Sequence, residues 1–388
     1  MPNIQQANFA LPGQLDKRRL KARLEDDWID VKEHGVTGNG TTDDTAAIKA
    51  LLDLNFGTKA APHGAPWLPT GFKTGDLMYT NRALYFPAGD YKVSSMLRIN
   101  VGYGINLIGD GSEQTRIFWS GPTEAPPVEE LDSRYSALIT FYMCWGSSVS
   151  GITFDAGNTQ QYAFKLYHWP TTLHGDGTNA SGVYSPPIGD DGSVGLYRDV
   201  VYKNGTSGGF ISSGQKMGSE RTFVNCKFLN NGNYGHRQVF QNALNHSFYN
   251  CHFEGNQYGT SAVVAGHASI VNCTFVNNSY FSIAHQYGPA RIVSNRSSDP
   301  NFVCCDATMM GNLHTGAGLF VCYQEGGGPT VAANINRFSL IGNRAPSSKL
   351  GIMYSTMLRG NEWGNPAYKD IPVGLSGRFL WENGATVP

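Results

Sequence analysis

Three near-copies of one phrase constrain this chain more tightly than any other feature: FVNCKFLNN from Phe223, FYNCHFEGN from Phe248 and IVNCTFVNN from Ile270. Cys226 and Cys251 are 25 residues apart, Cys251 and Cys273 are 22 apart, and each copy runs into an Asn turn carrying an aromatic residue: NNGNYG, GNQYG and NNSYF. A short strand-like run follows each turn: HRQVFQN, TSAVVAG and SIAHQYG. Fainter copies of the turn at Asn158, Asn312, Asn343 and Asn361 carry the period through most of the chain beyond residue 140. Units of this length with no i, i+3, i+4 apolar spacing argue against a helical repeat and predict the coils of a parallel β-helix.

In such a solenoid, strands stack on their copies about 4.8 Å apart and residues alternate between core and solvent. Cys226, Cys251 and Cys273 and, two residues on, Phe228, Phe253 and Phe275 then point inward, like stacking on like. Asn225, Asn250 and Asn272 stand at the sharp corner just before them, where Asn tolerates a left-handed backbone and its amide reaches the Asn one coil away. The seven cysteines are odd in number and show no CxxC spacing. They are expected as reduced, buried thiols and not as a disulfide framework or a zinc site.

Only 15% of residues are charged and the formal net charge is −1, which argues against a general nucleic-acid or anionic-membrane surface. No apolar stretch approaches the roughly 20 residues that span a bilayer, and MPNIQQANFALPG lacks the basic start and apolar run of a signal peptide. Residues 1–27 form an N-terminal arm in which Leu15, Leu20 and Leu24 sit among charges, an exposed helix or an assembly arm. In TTDDTAAIKALLDLN, Thr42 or Asp43 is placed to cap a short helix carrying Ile48, Leu51 and Leu52, able to lid the open end of the solenoid. An insertion at 168–195, HWPTTLHGDGTNASGVYSPPIGDDGSVG, lengthens one coil.

The stretches WIDVKEHGVTGNGTTDDTAAIKALLD, ALYFPAGDYKVSSMLRI and INLIGDGSEQTRI resemble the N-terminal signature of the pectate-lyase-like superfamily of right-handed parallel β-helix proteins. Its members include polygalacturonase-like hydrolases, polysaccharide lyases, alginate epimerases and phage tailspike depolymerases. The resemblance covers residues 28–120 and is tightest over His34–Ile48 and Tyr85–Tyr91. It implies an all-β fold, a right-handed parallel β-helix with an N-terminal capping helix, filling residues 28–388 as one domain. It also implies a polysaccharide partner and an extracellular or virion-associated setting, with Asp43, Asp44 and Asp90 as cap and turn residues. Where the hydrolases carry Asn-Thr-Asp, Asp-Asp, Gly-His-Gly and Arg-Ile-Lys, this chain has Asn158-Thr159-Gln160, Asp190-Asp191, Gly266-His267-Ala268 and Arg291-Ile292-Val293. Every element but the Asp pair is altered.

The resemblance places the site on the outer face of one stacked sheet, expected at residues 236–242, 260–266, 282–288 and 319–325. Uronate β-elimination needs a base, a cation beside the carboxylate and an acid for the leaving oxygen. His285 and Tyr287, two residues apart on one strand, and Arg291 just past the next corner supply one of each, with Glu325 as a further acid. Arg237, Gln241, His267, Trp169, Asp190 and Asp191 are the expected substrate contacts. Whether His285 faces outward is left open by its alternation with Val239 and Val263. A glycosidase instead needs two carboxyl groups about 5.5 Å apart for retention or roughly 6.5–9.5 Å for inversion, and the coils offer few. The expectation is a polysaccharide-cleaving enzyme with elimination slightly ahead of hydrolysis; the rival is a non-catalytic carbohydrate-binding spike or fibre. No cofactor or metal is called for, Ca2+ being the one ion left open, and the assembly is expected as a monomer or homotrimer.

Overall fold

The computed structural model describes residues 28–56, 83–125, 135–167, 195–213, 220–239, 246–262, 268–285, 290–304, 307–322, 338–346, 349–350, 356–359 and 362–363. They form three parallel sheets, A and B of 12 strands each and C of 10. The chain visits A, B and C in turn and climbs one rung per circuit, as in Arg221–Val224 (A), Lys227–Leu229 (B) and Tyr234–Gln238 (C). The architecture is the right-handed parallel β-helix expected from the repeat.

The repeated phrase folds as its chemistry demands. Phe223 stacks on Phe248 at 4.9 Å, Phe228 on Phe253 at 4.7 Å and Phe253 on Phe275 at 4.8 Å, all within 8° of coplanar, so each ring fills the footprint of the one below. Cys226, Cys251 and Cys273 are free and buried beside them. Asn225, Asn250 and Asn272 take the left-handed corner, with φ of 54°, 55° and 53°. Their exposed amides bond in part as expected: Asn272 donates to Asn250 at 2.8 Å, and Asn225 donates to Asp199 at 3.2 Å.

The stronger ladders are ones the phrase did not single out. In the B-to-C turn, Asn231, Asn256 and Asn278 are buried, and each Nδ2 donates to the next rung, Asn231 to Asn256 and Asn256 to Asn278 at 2.9 Å, then Asn278 to the carboxylate of Asp299 at 2.8 Å. In the A-to-B corner the cysteine stack gives way to a second ladder, Asn295, Asn312 and Asn343. The turns at Asn312 and Asn343 therefore belong to this corner. Buried amides cost stability unless bonded, and these ladders satisfy them rung by rung.

Helix α1 (Thr45–Phe56) occupies the sheet C position of the first coil and buries Ile48, Leu51 and Leu52 beside the strand Leu97–Tyr103. Asp43, not Thr42, accepts from the Thr45 backbone N–H, while the buried Asp44 carboxylate ties down Thr37 and Gly38. Asp90 is not a turn residue: it lies on the strand Gly89–Val93 and pairs with Arg116 at 2.8 Å. The N-terminal arm and residues 168–194 of the insertion lie outside the described residues, and no described helix is long and apolar enough to cross a membrane.

Candidate functional site

Of the sequence-predicted site, the structure describes three side chains. His285 ends the strand Phe281–His285 of sheet C and is only 3% exposed. Its register partner is Ala262, and Ala262 in turn pairs with Gln238, so the column runs through 238 and 262, not through Val239 and Val263. This column faces the core. The imidazole Nε2 lies 3.3 Å from Thr260 Oγ1, Nδ1 has no hydrogen-bond partner among the described residues, and burial pulls its pKa down to about 4. His285 is therefore corrected from lead base to interior histidine. A period-2 strand gives no intermediate option: an inward side chain is sealed from a ligand on the outer face.

His285 belongs to an interior polar chain. His236 Nε2 lies 3.2 Å from His246 Nδ1, and its Nδ1 lies 3.4 Å from Thr260 Oγ1. Burial, with His246 and His285 nearby, holds His236 well below its ordinary pKa. Arg291 lies past the corner on the strand Ala290–Val293, exposed on the outer face of sheet A, a different side of the solenoid from sheet C. Tyr287, Glu325, Gln241, His267, Trp169, Asp190 and Asp191 lie outside the described residues.

Arg237 stands where a site residue should. It follows His236 on the strand Tyr234–Gln238, so it faces outward, in register with Ile211 and Ser261. Its guanidinium sits 4.5 Å from the centre of the Tyr234 ring and 5.4 Å from that of Tyr135, and Nη1 donates to the Tyr162 hydroxyl at 3.3 Å. Guanidinium stacks well on aromatic faces while keeping its forked donors for a carboxylate. Two rungs below Arg237 in the same column, Lys165 is fully buried; its amine donates to the Tyr135 carbonyl at 2.8 Å and lies 5.2 Å from the Tyr167 ring. Burial pushes the Tyr162 pKa up to about 12, with Arg237 pulling the other way, so the phenol is protonated at neutral pH.

The tyrosines extend the site along the solenoid axis. Tyr234 stacks on Tyr258 at 5.3 Å, Tyr258 meets Tyr280 edge-on at 5.4 Å, and Tyr280 is half exposed. The spacing is one rung, close to the repeat of a sugar chain laid along the axis. These rings are the aromatics of NNGNYG, GNQYG and NNSYF; the repeat flagged them, but as corner residues, and alternation alone did not show that Tyr234 and Tyr258 open strands of sheet C and that Tyr280 stands just before one. Tyr135, Tyr162 and Lys165 carried no comparable signal.

Charge sharpens the picture. The ten strands of sheet C contain Arg98, Lys165, Arg237 and Lys349 and not one Asp or Glu. Among the described residues, no group of three or more His, Cys, Asp or Glu is arranged to hold a metal ion.

Residues 28–255, more than half of the chain, match the family model described as rhamnogalacturonase A/epimerase, pectate lyase-like. The chain is 27% identical over 216 residues to the non-secreted LysM effector LysM15 of Penicillium expansum, a match covering 52% of this chain and 14% of that protein. It is 26% identical over 214 residues to a probable glucan endo-1,3-beta-glucosidase of Arthroderma benhamiae, covering 50% of this chain and 22% of that one. Both matches thus span less than a quarter of the relative's length. Among solved structures, ORF18 of Geobacillus virus E2 superposes with a TM-score of 0.55 at 15% identity, covering 90% of this chain and 62% of that chain, a likeness of fold.

Proposed function

The chain belongs to the pectate lyase-like rhamnogalacturonase A/epimerase family, and from that premise we propose that it acts on an acidic polysaccharide laid along the outer face of sheet C. The observation that carries the reading is an outward guanidinium, Arg237, set among Tyr135, Tyr162 and Tyr234 on a sheet whose strands hold no carboxylate. A uronate supplies the missing anion, and Arg237 binds it as a forked cation. Tyr234, Tyr258 and Tyr280 offer ring faces to successive sugars.

Elimination is favoured over hydrolysis. A glycosidase needs two carboxyl groups across the bond, and sheet C would have to borrow both from its bordering loops. An elimination asks less of those loops: they must supply only the group that takes the adjacent proton and passes one to the leaving oxygen, while Arg237 offsets the charge that develops on the uronate carboxylate as that proton is taken. The Tyr162 phenol, fully buried behind Arg237, accepts from Nη1 at 3.3 Å and fixes the guanidinium; it is no more open to a ligand than His285. His285 has no part in this step. A polymer substrate fits an extracellular or virion-borne setting.

The test is incubation of the full chain with a panel of uronate-containing and neutral glycans. The ultraviolet absorbance of an unsaturated uronate is the expected product signal. New reducing ends without it would establish hydrolysis instead, and no product from any glycan would leave a non-catalytic binding spike as the reading.

A further inference from the structure

Among the described residues, the large apolar side chains most exposed to solvent are Leu54, Leu196, Tyr249, Tyr280 and Met310. Three of the five, Leu196, Tyr249 and Met310, stand on one surface, the outer face of sheet A. Register turns two of them into a stripe. Val224, Tyr249, Val271, Val293, Met310 and Ile341 occupy one outward position on six successive rungs, a run of about 24 Å. The neighbouring outward column is Thr222, Ser247, Ser269, Arg291 and Thr308. One charge stands in the two columns together. An apolar centre depleted of charge is the composition of a buried interface core, not of a solvated sheet face.

The relief of the stripe says what fits it. Tyr249 and Met310, each 38% exposed, rise above the valines between and beside them. We propose that this face docks a second copy of the chain, the two solenoid axes antiparallel, about a two-fold axis lying along the strand at Val271. Val271 then meets its own copy, Tyr249 lies over the partner's Val293, and Met310 lies over the partner's Val224, tall against short on either side of the axis, while Ile341 at the end of the stripe lies over the partner's Arg198. In the flanking column Ser269 meets itself, Thr222 faces the partner's Thr308, and Arg291 faces the partner's Ser247. The two Arg291 side chains start two rungs apart, about 10 Å. With parallel axes each rung would meet its own copy, and Tyr249 on Tyr249 and Met310 on Met310 would hold the valines out of contact. A second copy also shares the rung repeat by construction, so the match holds over the five rungs from Val224 to Met310. The arrangement leaves sheet C of both copies open and does not depend on the glycan reading.

The oligomeric state of the full chain, read by light scattering across a concentration series, tests this. A dimer is expected, with Val271→Lys running at half its mass and an unchanged circular dichroism spectrum. A bis-maleimide spanning about 10 Å, the spacing of two packed sheets, should join Ser269→Cys into a covalent dimer on a denaturing gel, measured against the unmodified chain, and should not join Thr308→Cys, its two copies lying about 19 Å apart along the axis. A monomer at every concentration, a trimer, a dimer that survives Val271→Lys, or cross-linking at Thr308→Cys but not at Ser269→Cys would overturn the proposal.

Discussion

On the outer face of sheet B, Asp90 meets Arg116 at 2.8 Å, Asp155 sits between Arg116 at 3.6 Å and Lys203 at 3.4 Å, and Lys227 reaches Glu113 at 2.7 Å. On sheet C, built on the same ladder and over the same core, Arg237 is met by tyrosines, and no strand offers an acid. The contrast teaches how a solenoid separates structure from recognition. Paired charges on an exposed sheet neutralise one another and add little stability. A face of one sign, lined by rings, has its complement in an anion from outside.

The inner faces differ as well. Sheet B is backed by the Phe228, Phe253 and Phe275 stack, whereas sheet C is backed by His236, Thr260 and His285. The largest expected effect is on the phenylalanine side: Phe253→Ala should cost about 3–5 kcal/mol in chemical denaturation, because a stacked rung cannot collapse into the gap. A cost no larger than that of an ordinary surface change would show that the stack does not hold sheet B.

Acid should act on the other side. Folded His285 takes up its proton only near pH 4, whereas the unfolded chain takes it up near 6.5. Stability is then complete above about pH 6.5 and falls toward pH 4, by on the order of 3 kcal/mol for this group. Hydrogen exchange over that range should quicken in Tyr234–Gln238 and Phe281–His285 before it does in the phenylalanine-backed strands of sheet B, Lys227–Leu229, His252–Glu254 and Thr274–Val276. It should quicken alongside in Leu313–His314, where burial likewise pulls His314 down to about 4, and His285→Leu should weaken the dependence. Equal quickening in the phenylalanine-backed strands would erase the distinction.

Arg237→Ala should weaken uronate glycan binding roughly 10- to 100-fold, the worth of about 1.5–3 kcal/mol for a hydrogen bond to a charged group, with the melting temperature little changed. Tyr280→Ala should weaken it about 3- to 10-fold, matching the 0.5–1.5 kcal/mol of an aromatic contact. Smallest of all, Arg116→Ala on sheet B should shift stability by about 1 kcal/mol or less and leave glycan binding unchanged. Equal losses from Arg116→Ala and Arg237→Ala, measured by calorimetry, would break the comparison of the two faces.

The fold was legible in the sequence because a solenoid writes each core position several times: Cys226, Cys251 and Cys273 announce an inward column together with Phe228, Phe253 and Phe275. The site was less legible because its residues are not repeated. The orientation of His285 depends on which residue opens a five-residue strand, and a shift of one moves the imidazole from solvent to core. The recurring tyrosines were visible as a pattern, but their outward stacking follows from the bend between turn and strand. Arg237 was singled out by its charge, whereas Tyr162, Tyr135 and Lys165 come together from separate stretches of chain and only folding assembles them. Tyr287, Glu325, Asp190 and Asp191 lie outside the described residues.

A crystal of the protein soaked with a uronate oligosaccharide tests the central claim most directly. Sugar density should run along Tyr234, Tyr258 and Tyr280, with a carboxylate about 3 Å from the Arg237 guanidinium. Density on sheet A or sheet B, with Arg237 untouched, would contradict it.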